Sequence, residues 1–304
     1  MNPWEGKYIT CSYDRRSLPE VRTMRVTGDN NIYILAKEQL GRDDLCLFQY
    51  IHAENVWERA GMSLISASPG QEEDGRSCEW TCCDELLEID GVLYYIEVET
   101  RSKTRLRVLV KMRKYNQHMD EWQDCSQLKV DGISNYTLSS GPCLYFLLNM
   151  EVHRYDPIQD RWCKRTSPRV RYYPECPQIC TAVAMGTEIF CTDDDFTQTL
   201  VYDTESDSWQ KLQGWPIPGK FAVDILEYVP RFFLLENQLH VFLCRHYDTD
   251  EDAASPDSLV YVYDRSSDAW RDLEATFPNR YNGRYGRAPL CPVARMYLPY
   301  LKGT

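Results

Sequence analysis

The sequence predicts an all-β fold: a ring of repeated four-stranded antiparallel sheets, a β-propeller with five blades favoured and six as the alternative. Three observations predict it. A tyrosine is followed seven residues later by a tryptophan in five places. A short turn leading into an apolar strand stands upstream of each pair. The tryptophans of successive pairs lie 40 to 65 residues apart, which suits one four-stranded unit per repeat.

The pairs are Tyr50 with Trp57, Tyr115 with Trp122, Tyr155 with Trp162, Tyr202 with Trp209, and Tyr263 with Trp270. The residues inside them are turn-formers, as in Asp156-Pro157-Ile158-Gln159-Asp160 and Asp203-Thr204-Glu205-Ser206-Asp207. Asp, Asn and Pro hold tight turns through side-chain hydrogen bonds and a fixed φ. Alternating apolar residues precede each tyrosine, as in Leu259-Val260-Tyr261-Val262-Tyr263. Each pair therefore marks a hairpin of fixed length, strands c and d of a repeat, with one aromatic anchor on each strand.

Upstream lies the b strand with its turn: Asn30-Asn31-Ile32-Tyr33, Asp90-Gly91-Val92-Leu93, Ser140-Gly141-Pro142-Cys143, Gly186-Thr187-Glu188-Ile189 and Asn237-Gln238-Leu239-His240. A further apolar strand, such as Cys180-Thr181-Ala182-Val183-Ala184, comes before most of these turns and supplies strand a. A single four-stranded sheet leaves two apolar faces bare. Several set around an axis bury each face on a neighbour, and closing the ring protects the edges. The aromatic anchors are expected to fill the wedges between blades. The whole chain, 1–304, reads as one domain. Strand-like segments at Lys7-Tyr8-Ile9-Thr10-Cys11-Ser12-Tyr13 and Leu290-Cys291-Pro292-Val293-Ala294-Arg295-Met296-Tyr297-Leu298 either complete a fifth blade or pair as a sixth.

Composition narrows the function. A net charge of −12 argues against nucleic acid and anionic membranes as partners, since both are bound by clustered Lys and Arg. The 13 cysteines include several inside apolar runs, Cys46 and Cys191 among them, as expected of core thiols in a reducing compartment. No apolar run follows Met1 and none is long enough to span a bilayer. The expectation is a cytoplasmic protein, with the nucleus as alternative.

The Tyr-x6-Trp hairpin after a turn and a strand such as Gly91-Val92-Leu93-Tyr94 resembles the Kelch repeat, over roughly 24–273. The usual Gly-Gly doublet after strand b is replaced by Ala36-Lys37, Glu97-Val98, Leu148-Asn149, Thr192-Asp193 and Cys244-Arg245, so the repeats are divergent. The resemblance implies a protein-interaction domain. Many such propellers are the substrate-binding part of BTB–BACK–Kelch adaptors of cullin-3 ubiquitin ligases, in which cullin-3 is reached through a BTB domain. No BTB-like region stands in this sequence. An actin-type cytoskeletal scaffold is the alternative partner class.

Antiparallel strands put the b–c loops and the blade-to-blade d–a loops on one face and the aromatic c–d turns on the other. Variable loops on a rigid scaffold are where recognition resides. The d–a loops carry Arg165, Arg169, Arg171, Tyr172 and Tyr173, then Trp215 and Phe221, then Arg280, Tyr281, Arg284, Tyr285 and Arg287. The longest b–c loop adds Tyr247. Arg and Tyr dominate interface hot spots, and Arg binds a carboxylate or phosphate with two parallel hydrogen bonds. The expected partner is thus a protein with an acidic or phosphorylated segment. The competing reading pairs these arginines internally with the acidic b–c loops. Catalysis is not expected, a metal-dependent propeller enzyme being the lesser alternative. The five histidines, His52, His118, His153, His240 and His246, are scattered over turns and strands, and no cofactor motif appears.

Overall fold

The computed structural model describes residues 20–29, 31–37, 44–51, 53–54, 56–66, 80–101, 107–132, 135–148, 151–167, 179–193, 199–214, 228–235, 237–245 and 258–273. Among them every regular element is a strand. Blade I comprises β1 (Glu20–Val26), β2 (Ile32–Lys37), β3 (Leu45–Ile51) and β4 (Val56–Ile65). Blade II comprises β5 (Trp80–Ile89), β6 (Val92–Arg101), β7 (Arg107–Asn116), β8 (Glu121–Asp124) and β9 (Leu128–Asp131). Blade III holds β10 (Asn135–Ser140), β11 (Cys143–Leu148), β12 (Glu151–Asp156) and β13 (Arg161–Lys164). Blade IV holds β14 (Ile179–Met185), β15 (Glu188–Asp193), β16 (Thr199–Asp203) and β17 (Ser208–Leu212). Blade V holds β18 (Tyr228–Leu235), β19 (Gln238–Arg245), β20 (Ser258–Asp264) and β21 (Ala269–Asp272).

Each sheet follows chain order and is antiparallel throughout, so five blades of the expected a-b-c-d plan are present. In blade II the outer strand is split. Both β8 and β9 pair with the long β7, β8 against residues 113–116 and β9 against 107–110. The inner strands succeed one another as β1, β5, β10, β14 and β18, each against the next.

All five tyrosine–tryptophan pairs are cross-strand partners in register. Their rings sit 5.0 to 5.2 Å apart at tilts of 41° to 53°. The rings do seal wedges. One apolar cluster joins blades I and II, another II and III, a third III and IV, and a fourth IV and V. Tyr155 and Tyr202 are almost wholly buried there, and a buried aromatic of this size contributes about 2–3 kcal/mol. An aromatic on strand b of one blade also meets the anchor tyrosine of the next edge-on. The pairs are Tyr94–Tyr155, Tyr145–Tyr202 and Phe190–Tyr263, at 6.3 to 6.5 Å.

The c–d turns are built as their sequence requires. Asn116, Asp156, Asp203 and Asp264 accept backbone N–H bonds from residues two or three further on, within 2.8 to 3.2 Å. Each turn then closes on a left-handed aspartate: Asp120, Asp160, Asp207 and Asp268 have φ of 51°, 47°, 54° and 48°. Aspartate adopts this region more readily than most residues because its short side chain bonds locally.

Candidate interaction surface

These aspartates also lock one blade to the one before. Asp160 Oδ1 accepts from Tyr155 Oη at 2.7 Å and from the backbone N of Ser126, in blade II, at 2.8 Å. Asp207 accepts from Tyr202 Oη and from Thr166 N in blade III, at 2.7 and 3.0 Å. Asp268 accepts from Tyr263 Oη and from Gln213 N in blade IV, at 2.5 and 3.1 Å. The tryptophan completes each latch by donating its indole N–H to the carbonyl of the same residue: Trp162 to Ser126, Trp209 to Thr166, and Trp270 to Gln213, at 2.7 to 2.9 Å.

Blade I is held differently. Asp120 accepts from Tyr115 Oη at 2.8 Å and from Met62 N at 2.6 Å. The outer strand β4 slips register here. The Arg59 guanidinium occupies the carbonyls of Gly61 and Met62 at 2.8 and 3.1 Å. The Trp122 indole N–H is left buried without an acceptor.

The latches set the charge states of their parts. Hydrogen bonds from Met62 N and Tyr115 hold the Asp120 carboxyl below its ordinary value. Ser126 N and Tyr155 do the same for Asp160, and Tyr263 and Gln213 N for Asp268. At Asp207 burial works upward, but Tyr202, Thr166 and Arg165 together keep the carboxyl low. Conversely desolvation, helped by the adjacent Asp268, pushes Tyr263 up to about 12.

One face of the propeller, carrying the a–b and c–d turns, is therefore short and fastened. The longer b–c and d–a connections leave from the opposite ends of the strands. Arg165 is the one candidate among the described residues. Its guanidinium bonds Tyr202 Oη at 3.3 Å and pairs with Asp207 at 3.5 Å, so it belongs to the latch between blades III and IV. The acidic partner is a c–d turn aspartate, not a b–c loop. Arg169, Arg171, Tyr172, Tyr173, Trp215, Phe221, Tyr247, Arg280, Tyr281, Arg284, Tyr285 and Arg287 lie outside the described residues, as do His52 and His246. Of the described histidines, His118 stands in a c–d turn. His153 is on β12 beside Glu151 at 3.3 Å, and His240 is on β19 with Nδ1 at 3.0 Å from the Gln238 carbonyl.

A polar row on the inner strands is not apparent from the sequence. Arg231 on β18 donates to Tyr136 Oη on β10 at 3.1 Å, spanning two blades that are not neighbours. Thr23 Oγ1 accepts from Leu86 N and Thr181 Oγ1 from Phe232 N, at 3.1 and 3.0 Å, tying adjacent inner strands. The Glu85 carboxyl is withdrawn from water, which raises its pKa to about 7 against the opposing pull of Arg25 and a hydrogen bond from Thr137. Burial lowers Arg25 in turn, opposed by Glu85 and Glu88. The trace of it in the sequence is a charged residue inside an apolar a strand, as in Val229-Pro230-Arg231-Phe232-Phe233.

No protein-family model matches the chain, and no curated protein does. What the geometry establishes is the architecture: an all-β propeller of five four-stranded antiparallel blades among the described residues, sealed by aromatic pairs and latched by turn aspartates.

Proposed function

We propose that this chain is a protein-interaction scaffold that recruits another protein through its d–a and b–c connections. One observation carries the reading: the unequal treatment of the two faces. In all five blades four residues separate strand c from strand d, and in four of them two residues separate a from b. On the other face the b–c connections run from 2 to 12 residues and the d–a connections from 3 to 15. Constant turns on one side and variable connections on the other are the arrangement of a fixed frame carrying recognition loops.

The partner proposed is a protein with an acidic or phosphorylated segment, met by the Arg/Tyr-rich d–a connections. The resemblance to Kelch repeats supports a narrower role, substrate receptor of a cullin-3 ubiquitin ligase adaptor, with cullin-3 engaged through a BTB domain outside this chain. Affinity purification with quantitative mass spectrometry, run on wild type and on Arg284→Glu/Arg287→Glu, tests the reading. Specific partners are expected to fall at least tenfold with the variant while its melting temperature is unchanged. Equal recovery from a folded variant would sink it.

A further inference from the structure

One layer of the inner strands is polar in every blade. Three residues before each anchor tyrosine stand Leu47, Met112, Val152, Thr199 and Val260 on the c strands. Across strand b these line up with Thr23 on β1, Glu85 on β5, Tyr136 on β10, Thr181 on β14 and Arg231 on β18. Side chains two residues apart on a strand share a face. Two residues further on, four of the five positions are apolar: Leu87, Leu138, Val183 and Phe233. The fifth is Arg25.

Three consecutive blades bring part of this layer together. Arg231 donates from Nη1 to Tyr136 Oη at 3.1 Å, from blade V to blade III, so the bond crosses the space that the inner strands surround. Between them, on blade IV, Thr181 Oγ1 accepts from the backbone N of Phe232, the residue next to Arg231, at 3.0 Å. Both groups keep donors in hand. The Thr181 hydroxyl serves there as an acceptor, and its own hydrogen has no acceptor among the described residues. The Arg231 guanidinium meets one neutral phenol and, among the described residues, pairs with no carboxylate, whereas Arg113, Arg154, Arg165 and Arg265 all do. Glu85, the acid of the layer, is engaged by Arg25 from blade I and Thr137 from blade III. Burial raises its carboxyl to about 7, so it carries little charge at pH 6. Thr181 is buried and Arg231 half-buried, and hydrogen bonds from a charged donor gain strength away from bulk water.

We propose that this layer binds one tetrahedral oxyanion, of the phosphate or sulfate class, between Arg231 and Thr181. The planar guanidinium presents parallel N–H groups that fit two oxygens of such an ion. A carboxylate has no oxygen beyond that pair, whereas a tetrahedral ion has further ones for the threonine hydroxyl. Tyr136 steadies the guanidinium from the far side of the axis. The site is made by the inner strands alone, without the Arg/Tyr-rich connections.

Sulfate titrated calorimetrically into the full chain at pH 6, with chloride at equal ionic strength as reference, tests the site. One-site binding is expected, about tenfold weaker in Arg231→Gln and about threefold weaker in Thr181→Val, with Thr181→Ser close to wild type. Arg265→Gln, in the c–d turn of blade V, is expected to change nothing. Binding no stronger than that of chloride, or equal binding by a folded Arg231→Gln, overturns the proposal. Hydrogen exchange of the wild-type chain needs no variant: sulfate is expected to slow the Phe232 amide and its neighbours on β18, and protection confined to strands c and d overturns the site. Displacement of sulfate by inorganic phosphate alone supports the site and assigns the free ion, while displacement by phenyl phosphate as well supports it and assigns a phosphate ester. Acetate displacing sulfate as readily as phosphate does contradicts a tetrahedral site.

Discussion

At Asp160 a single carboxylate serves two blades while its backbone sits at φ 47°. Asp160→Ala removes the acceptor for a buried tyrosine hydroxyl and places alanine in the left-handed region, at an expected cost of about 2–4 kcal/mol in chemical denaturation. Asp160→Asn keeps an acceptor and the tolerance for positive φ, and is expected to cost about 1 kcal/mol. If the two variants are equally destabilised, the negative charge of the carboxylate, and neither the acceptor nor the turn, is what the residue supplies. Gly61 makes a second point at this scale. A Cβ there would lie 2.2 Å from Asp120 Oδ1 and Tyr115 Oη, so Gly61→Ala is expected to cost about 1–3 kcal/mol by forcing that latch apart. At Gly28 the nearest atom to such a Cβ is Glu88 Oε2 at 3.9 Å, and alanine is expected to be neutral in the same assay. The sequence already showed Asp and Asn as turn-formers by composition. Their second task was hidden, because an aspartate that caps a turn and one that grips a neighbouring sheet look alike in one dimension. The recurring Tyr-x4-Asp-x-Trp spacing is the trace of it.

Among elements, the hairpins were the most legible part of the chain, since turn chemistry and the period of two both survive divergence. The interruptions of the outer strands were not. Nothing in 125–127 or in the register slip of β4 disturbs the alternation enough to be read. The slip has an energetic signature. Trp209 donates to Thr166 at 2.7 Å, whereas the buried Trp122 indole N–H has no acceptor, and the carbonyls of Gly61 and Met62 accept from Arg59. Trp209→Phe is expected to lose about 1 kcal/mol, while Trp122→Phe, which removes an orphaned donor, is expected to be neutral or slightly stabilising. Thermal melts of the two variants side by side decide this, and equal losses would mean that ring size and not the indole N–H sets the effect.

For the whole molecule, stability should depend on pH from both sides. The turn aspartates have depressed carboxyls, so the stabilisation they give is present above the ordinary aspartate range and fades as pH falls through their folded values. Glu85 works in the opposite sense. Its carboxyl titrates near 7 in the fold, above its ordinary value, so its charged form is penalised increasingly as pH rises from about 4.5 to 7. Glu85→Gln is therefore expected to raise the melting temperature at pH 8, by up to about 3 kcal/mol in stability, and to change little at pH 4. An equal effect at both values would show that Arg25 and Thr137 keep the carboxylate charged throughout. At this scale the ring plan was readable because every blade repeats it. The candidate binding residues were readable only as composition, since connections between blades have no period to fix where their side chains go. Arg165 stands at a seam beside Tyr202 and Asp207, a contact that its place after strand d does not reveal in the sequence.

The latch treats its two sides unequally. The donor blade spells it in three side chains at set intervals, while the receiving blade offers the N–H and C=O of one residue, and every residue except proline has both. A blade copied or transplanted from elsewhere would be accepted by its new predecessor whatever residue stood at that point. A chain built on this joint can lengthen by gene duplication and let its copies drift in sequence, keeping only the tyrosine, the aspartate and the tryptophan.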